Sequence, residues 1–123
     1  MNFKTLAFGS LLALGACQAQ TAVATTPAKS IRELIQDDKT VLVDVRMASE
    51  YEEETAPGAI NIPVEDLEKN LDVFKNAENV VVFCNRGIKA DRAMEILKKS
   101  GIKNAYDGTS LKQIKALQAE TKK

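Results

Sequence analysis

The segment with the clearest chemical potential is CNRGIKA, at residues 84–90. Cys84 is a candidate nucleophile, and two basic residues, Arg86 and Lys89, lie within five residues of it. Gly87 allows the backbone to turn tightly between them. A loop of this composition can point backbone N–H groups at the sulfur, and nearby cations further stabilise a thiolate. The segment therefore predicts a reactive thiolate in a site that attracts small anions.

Histidine is absent from the chain, and Cys17 and Cys84 are its only cysteines. This composition excludes Cys-His and Ser-His catalytic pairs and the usual zinc-ligand sets. Residues 52–54 are all glutamate, but no nitrogen or sulfur ligand lies near them in the sequence, so we expect no metal site. A disulfide between the two cysteines is a minor alternative, because their surroundings indicate different roles.

Two other interpretations of Cys84 stay open on the residues alone. Free cysteine is among the most buried residue types, so Cys84 also fits a small apolar side chain packed at the end of a strand. A redox thiol that forms mixed disulfides is the second alternative. The lack of a nearby resolving cysteine counts against it.

Strand-like and helical patterns alternate through the second part of the chain. The predicted strands cover residues 41–45, 60–62, 80–83 and 104–106. The predicted helices cover residues 30–37, 64–70, 90–99 and 110–119. The β-branched runs at 41–45 and 80–83 indicate strands buried on both faces. This alternation predicts an α/β fold, with a small, mainly parallel sheet flanked by helices on both faces.

The ends of two of these elements bear on the predicted site. Cys84 directly follows a buried strand and precedes a helix, and ligands in open α/β sheets bind at the carboxyl ends of strands. The N-terminus of that helix adds partial positive charge near the sulfur. Ser30 and Glu33 form a capping box that starts the first helix, and Gly101 is placed to end the helix over 90–99.

Residues 1–16 have the features of an export signal, with Lys4 followed by an apolar run too short to span a bilayer. The run ends in LGAC, which resembles the lipobox of bacterial lipoproteins and predicts lipidation of Cys17. An ordinary signal peptide cut after Ala24 is the alternative. We expect a flexible tether at 17–29, a folded domain at 30–123 and a lipid-anchored protein of the cell envelope. Gln18 favours the periplasmic face of the outer membrane in a Gram-negative cell.

The length and the charge of the chain limit its number of domains and its classes of partner. The 123 residues have room for one domain. Basic and acidic residues balance at 17 each, and this balance argues against a nucleic-acid partner. We expect a monomer.

Four short motifs follow one another in the order that is typical of one family. They are Asp44-Val45-Arg46, Glu50-Tyr51, PGAINIP at residues 57–63, and CNRG at residues 84–87. Together they cover most of residues 30–120, and on them the sequence resembles the rhodanese family of sulfurtransferases. With its short chain and its signal, it is most similar to the small periplasmic rhodaneses of the phage-shock-operon type, with a lipid anchor added.

The resemblance implies a thiosulfate-type sulfurtransferase without a cofactor. Cys84 would take a sulfur from thiosulfate, hold it as a persulfide and pass it to cyanide or a thiol. Arg86 and Lys89 would orient the anionic donor, and the backbone N–H groups of the loop would stabilise the charged sulfur. The predicted binding residues are Asn85, Arg86, Gly87, Ile88, Lys89 and Ala90. A non-enzymatic persulfide carrier or partner-binding module of the same family is the alternative.

Asp44 is a candidate support for the loop from a neighbouring strand end, although it could equally cap a turn or pair with Arg46. We expect Arg46 and Glu50 to form a local ion pair beside a short helix. Tyrosine phosphatases related to this fold have an arginine six positions after the cysteine. Position 90 here is alanine, which argues against phosphoryl chemistry.

The sequence also departs from the family pattern at two places. Thr55-Ala56 replaces the usual His-Ile, and Gly108-Thr109 replaces Gly-Gly at the predicted pocket rim.

Overall fold

A sheet of four parallel strands lies at the centre of the fold. The computed structural model describes residues 29–120. The strands are β1 (Thr40–Asp44), β2 (Ile60–Asn61), β3 (Asn79–Cys84) and β4 (Ala105–Ser110), and their order across the sheet is β2-β1-β3-β4. The helices are α1 (Ile31–Gln36), α2 (Ala48–Glu53), α3 (Leu71–Asn76), α4 (Ile88–Lys99) and α5 (Leu111–Glu120), with a 3₁₀ helix at Val64–Lys69.

Each face of the sheet packs into its own apolar cluster, because successive side chains of a strand point to opposite faces. The cluster on one face joins sheet residues to α3, α4 and the 3₁₀ helix; it includes Val43, Val80, Val82, Phe74, Leu67 and Leu97. The cluster on the other face joins the sheet to α1 and α5; it includes Leu42, Val81, Phe83, Leu34 and Ile114. The α/β fold with helices on both faces is therefore confirmed.

The predicted ends of two helices are also confirmed. The Ser30 hydroxyl accepts a hydrogen bond from the Glu33 N–H, and the Glu33 carboxylate accepts one from the Ser30 N–H, which completes the capping box of α1. At its C-terminal end, α4 is followed by Gly101, which has a φ of 82°. This left-handed conformation favours glycine, and it ends the helix.

Three elements differ from the sequence-based prediction. The helix predicted over 64–70 is a 3₁₀ helix, and the separate α3 that follows it was missed. Asn70 lies between the 3₁₀ helix and α3, and its backbone is not helical, with φ −125° and ψ 30°. The strand predicted at 104–106 extends to Ser110, because pairing with β3 holds residues of low strand propensity in β4. The short helix expected beside Arg46 and Glu50 is present as α2, which has no buried residue.

β4 contains a bulge beside Cys84. Val82 pairs with Asp107 whereas Cys84 pairs with Ser110, so β4 has one extra residue in this interval. Gly108 is required there, because a Cβ at this position would lie 2.7 Å from Cγ1 of Val81. The bulge turns the next carbonyl group, that of Thr109, towards the end of β3.

Thr109 is the one described non-glycine residue with a positive φ, at 69°. A β-branched side chain is strained in this conformation, and the cost is about 1–2 kcal/mol. We expect Thr109→Gly to raise the free energy of unfolding by about 1 kcal/mol, after the larger entropy of glycine in the unfolded chain is subtracted. Denaturant unfolding of Thr109→Gly, Thr109→Asn and Thr109→Ala checks this. Asparagine tolerates this conformation better than alanine, so the expected order of stability is Gly, Asn, Ala, and a glycine variant less stable than the wild type would contradict the strain.

The predicted signal at 1–16, the lipidation site Cys17 and nearly all of the predicted tether lie outside the described residues. Within residues 29–120, the helices are too short or too polar to cross a membrane.

Candidate active site

Cys84 lies at the carboxyl end of β3, where it is only 2% exposed. Its Sγ accepts hydrogen bonds from the backbone N–H groups of Gly87, at 3.0 Å, and Ala90, at 3.3 Å. On another side, the thiol donates to the carbonyl oxygen of Thr109, at 3.7 Å. Two N–H donors aimed at one sulfur stabilise negative charge on it. The sulfur is thus held in a polar cradle, although the side chain is more buried than a surface thiol.

The turn of the loop depends on Gly87, which is the N-cap of α4 and has a φ of 88°. Its carbonyl oxygen accepts the first hydrogen bond of the helix, from Asp91, at 2.9 Å. A Cβ at this position would also lie 3.3 Å from Cγ2 of Thr109. Because α4 begins directly after the turn, the positive end of its dipole lies beside Cys84.

A pocket of about 400 Å³ opens above the sulfur. The side chains that line it are those of Arg46, Glu50, Cys84, Asn85, Arg86, Ile88 and Lys89. Five of the predicted site residues are therefore brought together, while Gly87 and Ala90 contribute backbone N–H groups. Arg86 and Lys89 form no salt bridge with another described residue, so their charges are available to an anion.

Asp44 and Arg46 form a buried ion pair behind the loop. The Arg46 guanidinium donates from Nε to Oδ1 of Asp44 at 2.9 Å and from Nη2 to Oδ2 at 2.7 Å. Thr55 donates its hydroxyl to the same carboxylate at 2.9 Å, so this residue has a structural contact where the family pattern has histidine. The hydrogen bonds to Asp44 raise the pKa of Arg46 above its ordinary value. Asp44 is 0% exposed and Arg46 is 5% exposed, so the ion pair is buried apart from the side of Arg46 that faces the pocket.

Asn85 connects this ion pair to the loop. Its side-chain oxygen accepts from Nη1 of Arg46 at 3.1 Å, and its Nδ2 donates to the Glu50 carboxylate at 2.7 Å. The expected ion pair between Arg46 and Glu50 is therefore wrong. The guanidinium pairs with Asp44 because that carboxylate is two residues away and buried beside it, and Glu50 is used by Asn85. Arg46 therefore connects Asp44 to Asn85 of the loop.

Asp107 is a further polar residue near the site that the sequence did not single out. Burial, and then a hydrogen bond with Asp91, raise the pKa of the Asp107 carboxyl. One of its oxygens also accepts from the Thr109 N–H at 2.8 Å. The two aspartates join the first turn of α4 to β4, and so they link the two elements that surround the sulfur. In the sequence, this pairing is hidden because the two aspartates are 16 positions apart.

The sequence profile of the rhodanese-like domain matches residues 27–108. The chain belongs to the rhodanese family. Thiosulfate sulfurtransferase PspE of Escherichia coli is 34% identical to this rhodanese over an alignment of 74 positions, which covers 58% of this chain and 71% of PspE. A solved structure described as a rhodanese with anions from E. coli superposes with a TM-score of 0.56 at 32% identity, and the match covers 61% of this chain and 91% of that one.

The chain is also similar to one part of a longer protein. A tRNA uridine(34) hydroxylase of Buchnera aphidicola is 32% identical over an alignment of 85 positions, and the alignment covers 64% of this chain. This rhodanese spans only 27% of the length of that hydroxylase. The relatives of this chain therefore include a sulfurtransferase and a longer tRNA hydroxylase.

Across residues 29–120, no group of three or more Cys, Asp or Glu side chains is arranged to hold a metal ion.

Proposed function

We propose that this rhodanese is a thiosulfate-type sulfurtransferase that passes sulfane sulfur through a Cys84 persulfide to a thiophilic acceptor, such as cyanide or a thiol. The observation that carries the proposal is the pair of N–H groups, from Gly87 and Ala90, that donate to Sγ at the base of a pocket with available cations. This arrangement stabilises both the attacking thiolate and the persulfide that replaces it.

In the first step, the Cys84 thiolate attacks the outer sulfur of thiosulfate. The new S–S bond forms as the S–S bond of thiosulfate breaks, and sulfite leaves with the bonding electron pair. Arg86 and Lys89 line the pocket and are placed to balance the charge of the donor and of the departing sulfite.

In the second step, cyanide or a thiolate attacks the outer sulfur of the Cys84 persulfide. The Cys84 thiolate is the leaving group, and the acceptor becomes thiocyanate or a new persulfide. The cysteine returns to its starting state, so no cofactor and no net redox partner are needed.

The mass of the purified full chain tests the cycle. Thiosulfate should add one sulfur, about 32 Da, to the peptide that contains Cys84, and cyanide should remove it. If thiosulfate leaves the mass of the folded protein unchanged, the proposed donor chemistry fails.

The same spectrum reports the N-terminus. We propose that the chain is exported, that residues 1–16 are removed and that an acylated Cys17 anchors the protein in the cell envelope through a short tether. A first residue other than a lipid-modified Cys17 would contradict the anchor.

A non-enzymatic persulfide carrier or partner-binding module is the second candidate. Ile88 favours it, because this apolar side chain lines the mouth of the pocket and is 74% exposed, as a residue that contacts another protein would be. Catalytic turnover of thiosulfate distinguishes the two, since a carrier would transfer sulfur without multiple turnovers from this donor.

A further inference from the structure

A second pocket adjoins the first. It has a volume of about 350 Å³ and is lined by Glu54, Asn85, Leu111, Lys112 and Lys115. Asn85 lines both pockets, so its side chain forms their shared wall. We propose that the second pocket, called here the distal subsite, binds the carboxylate of a small acceptor thiol whose sulfur reaches Cys84. This inference rests on the proposed sulfurtransferase function.

The charge of the distal subsite is positive. Lys115 forms a salt bridge with Glu54, and the hydrogen bond from Lys115 lowers the pKa of that carboxyl, so the pair stays ionised and its charges cancel. Lys112 forms no salt bridge with another described residue. The subsite therefore has one uncompensated cation beside the apolar side chain of Leu111, which suits a small organic anion better than a cation.

The shared wall is held in a fixed orientation. Asn85 uses its side-chain oxygen for Arg46 and its nitrogen for Glu50, so both ends of the amide are occupied. Arg46 also donates to the main-chain oxygen of Glu54, at the edge of the distal subsite. One buried guanidinium thus positions parts of both pockets, and a ligand that extends from one to the other meets a preformed surface.

The chemistry of the two steps assigns the distal subsite to the acceptor. In thiosulfate, the negative charge is shared by the outer sulfur and the oxygens of the group bonded directly to it, so the cations above Cys84 are sufficient for it. Cyanide has no side group at all. A thiol with a carboxylate several bonds from its sulfur would place the sulfur over Cys84 and the carboxylate near Lys112.

The transfer step is unchanged by this binding mode. The acceptor thiolate attacks the outer sulfur of the Cys84 persulfide, the bond between the two sulfurs of the persulfide breaks, and the Cys84 thiolate leaves with the electron pair. The product is the persulfide of the acceptor.

Two acceptors with the same thiol test the distal subsite in the full chain. Glutathione has a free carboxylate on its glycine, and glutathione monoethyl ester lacks it. The ratio of kcat/KM for glutathione to kcat/KM for the ester should fall about fivefold in Lys112→Met, as expected for loss of one solvent-exposed charge contact. In the wild type, the same ratio should fall as salt concentration rises.

Lys98→Met is the matched control. Lys98 is also an exposed helical lysine, but it lines a separate pocket at the other end of α4. The variant makes the same change in net charge and should leave the ratio unchanged. An equal fall in both variants, or no fall in Lys112→Met, would overturn the distal subsite while the sulfurtransferase function stands. If the wild type transfers sulfur to neither thiol nor cyanide, the proposed function itself fails and the subsite fails with it.

Discussion

Cys84→Ser is expected to reduce sulfur transfer to below about one-thousandth of the wild-type rate, because a hydroxyl cannot form the persulfide. The fold should persist. The serine oxygen can accept from the N–H groups of Gly87 and Ala90 and donate to the carbonyl of Thr109, so its burial leaves no unsatisfied polar atom. The expected change in the free energy of unfolding is within about 1–2 kcal/mol. Thiocyanate formation and denaturant unfolding measure the two effects.

Cys84→Ala provides the comparison for stability. Alanine accepts no hydrogen bond, so the N–H groups of the loop lose their partner and this variant should be less stable than Cys84→Ser. If alanine were tolerated better than serine, Cys84 would be acting mainly as a buried apolar side chain. Residual transfer above one-tenth of the wild-type rate in the folded serine variant would contradict the persulfide mechanism.

Arg46→Met is expected to lower the free energy of unfolding by about 3–5 kcal/mol, since it leaves the buried Asp44 carboxylate without its counter-ion. The guanidinium also holds Asn85, so the surviving folded protein should have a less ordered loop and a lower kcat/KM for thiosulfate. Denaturant unfolding measures the first effect, and steady-state kinetics well below the unfolding midpoint measure the second.

The chain contains a matched control for this substitution. Arg32 pairs with Glu120 on the surface, where both side chains are about half exposed. Arg32→Met removes an ion pair with the same change of residue type and should cost no more than about 1 kcal/mol. If the two variants lost equal free energy of unfolding, the buried ion pair between Asp44 and Arg46 would be no more important for stability than an exposed one.

The parts of the fold that local patterns predict are those whose apolar residues face the core. The buried runs that became β1 and β3, the period of α4 and the capping box of α1 were all visible in the sequence. By contrast, α2 has no fully buried residue, so no apolar pattern defines its bounds in the sequence. The extension of β4 was also hidden, because residues such as Asp107 and Gly108 stay in the strand only through pairing with β3.

The residues of the site divide in the same way. The loop at 84–90 is continuous in the chain, and its composition was sufficient to predict where it lies. The contacts of Asn85 join it to residues 35 and 39 positions earlier, which no local spacing indicates. Position 109 was recognised only as a departure from a glycine pair. The carbonyl group of Thr109 faces the Cys84 sulfur because of the bulge. The bulge arises only when β4 pairs with β3, so no local pattern indicates it.

The bulge in β4 also affects how the sheet ends. β4 is an outer strand, and a straight outer strand presents a row of free N–H and C=O groups on which a strand of another molecule can pair. The extra residue at Gly108 and Thr109 breaks the regular spacing of that row, and β2, at the opposite side, has only two residues. Neither border of the sheet offers a long, flat template, so this geometry opposes aggregation by strand addition.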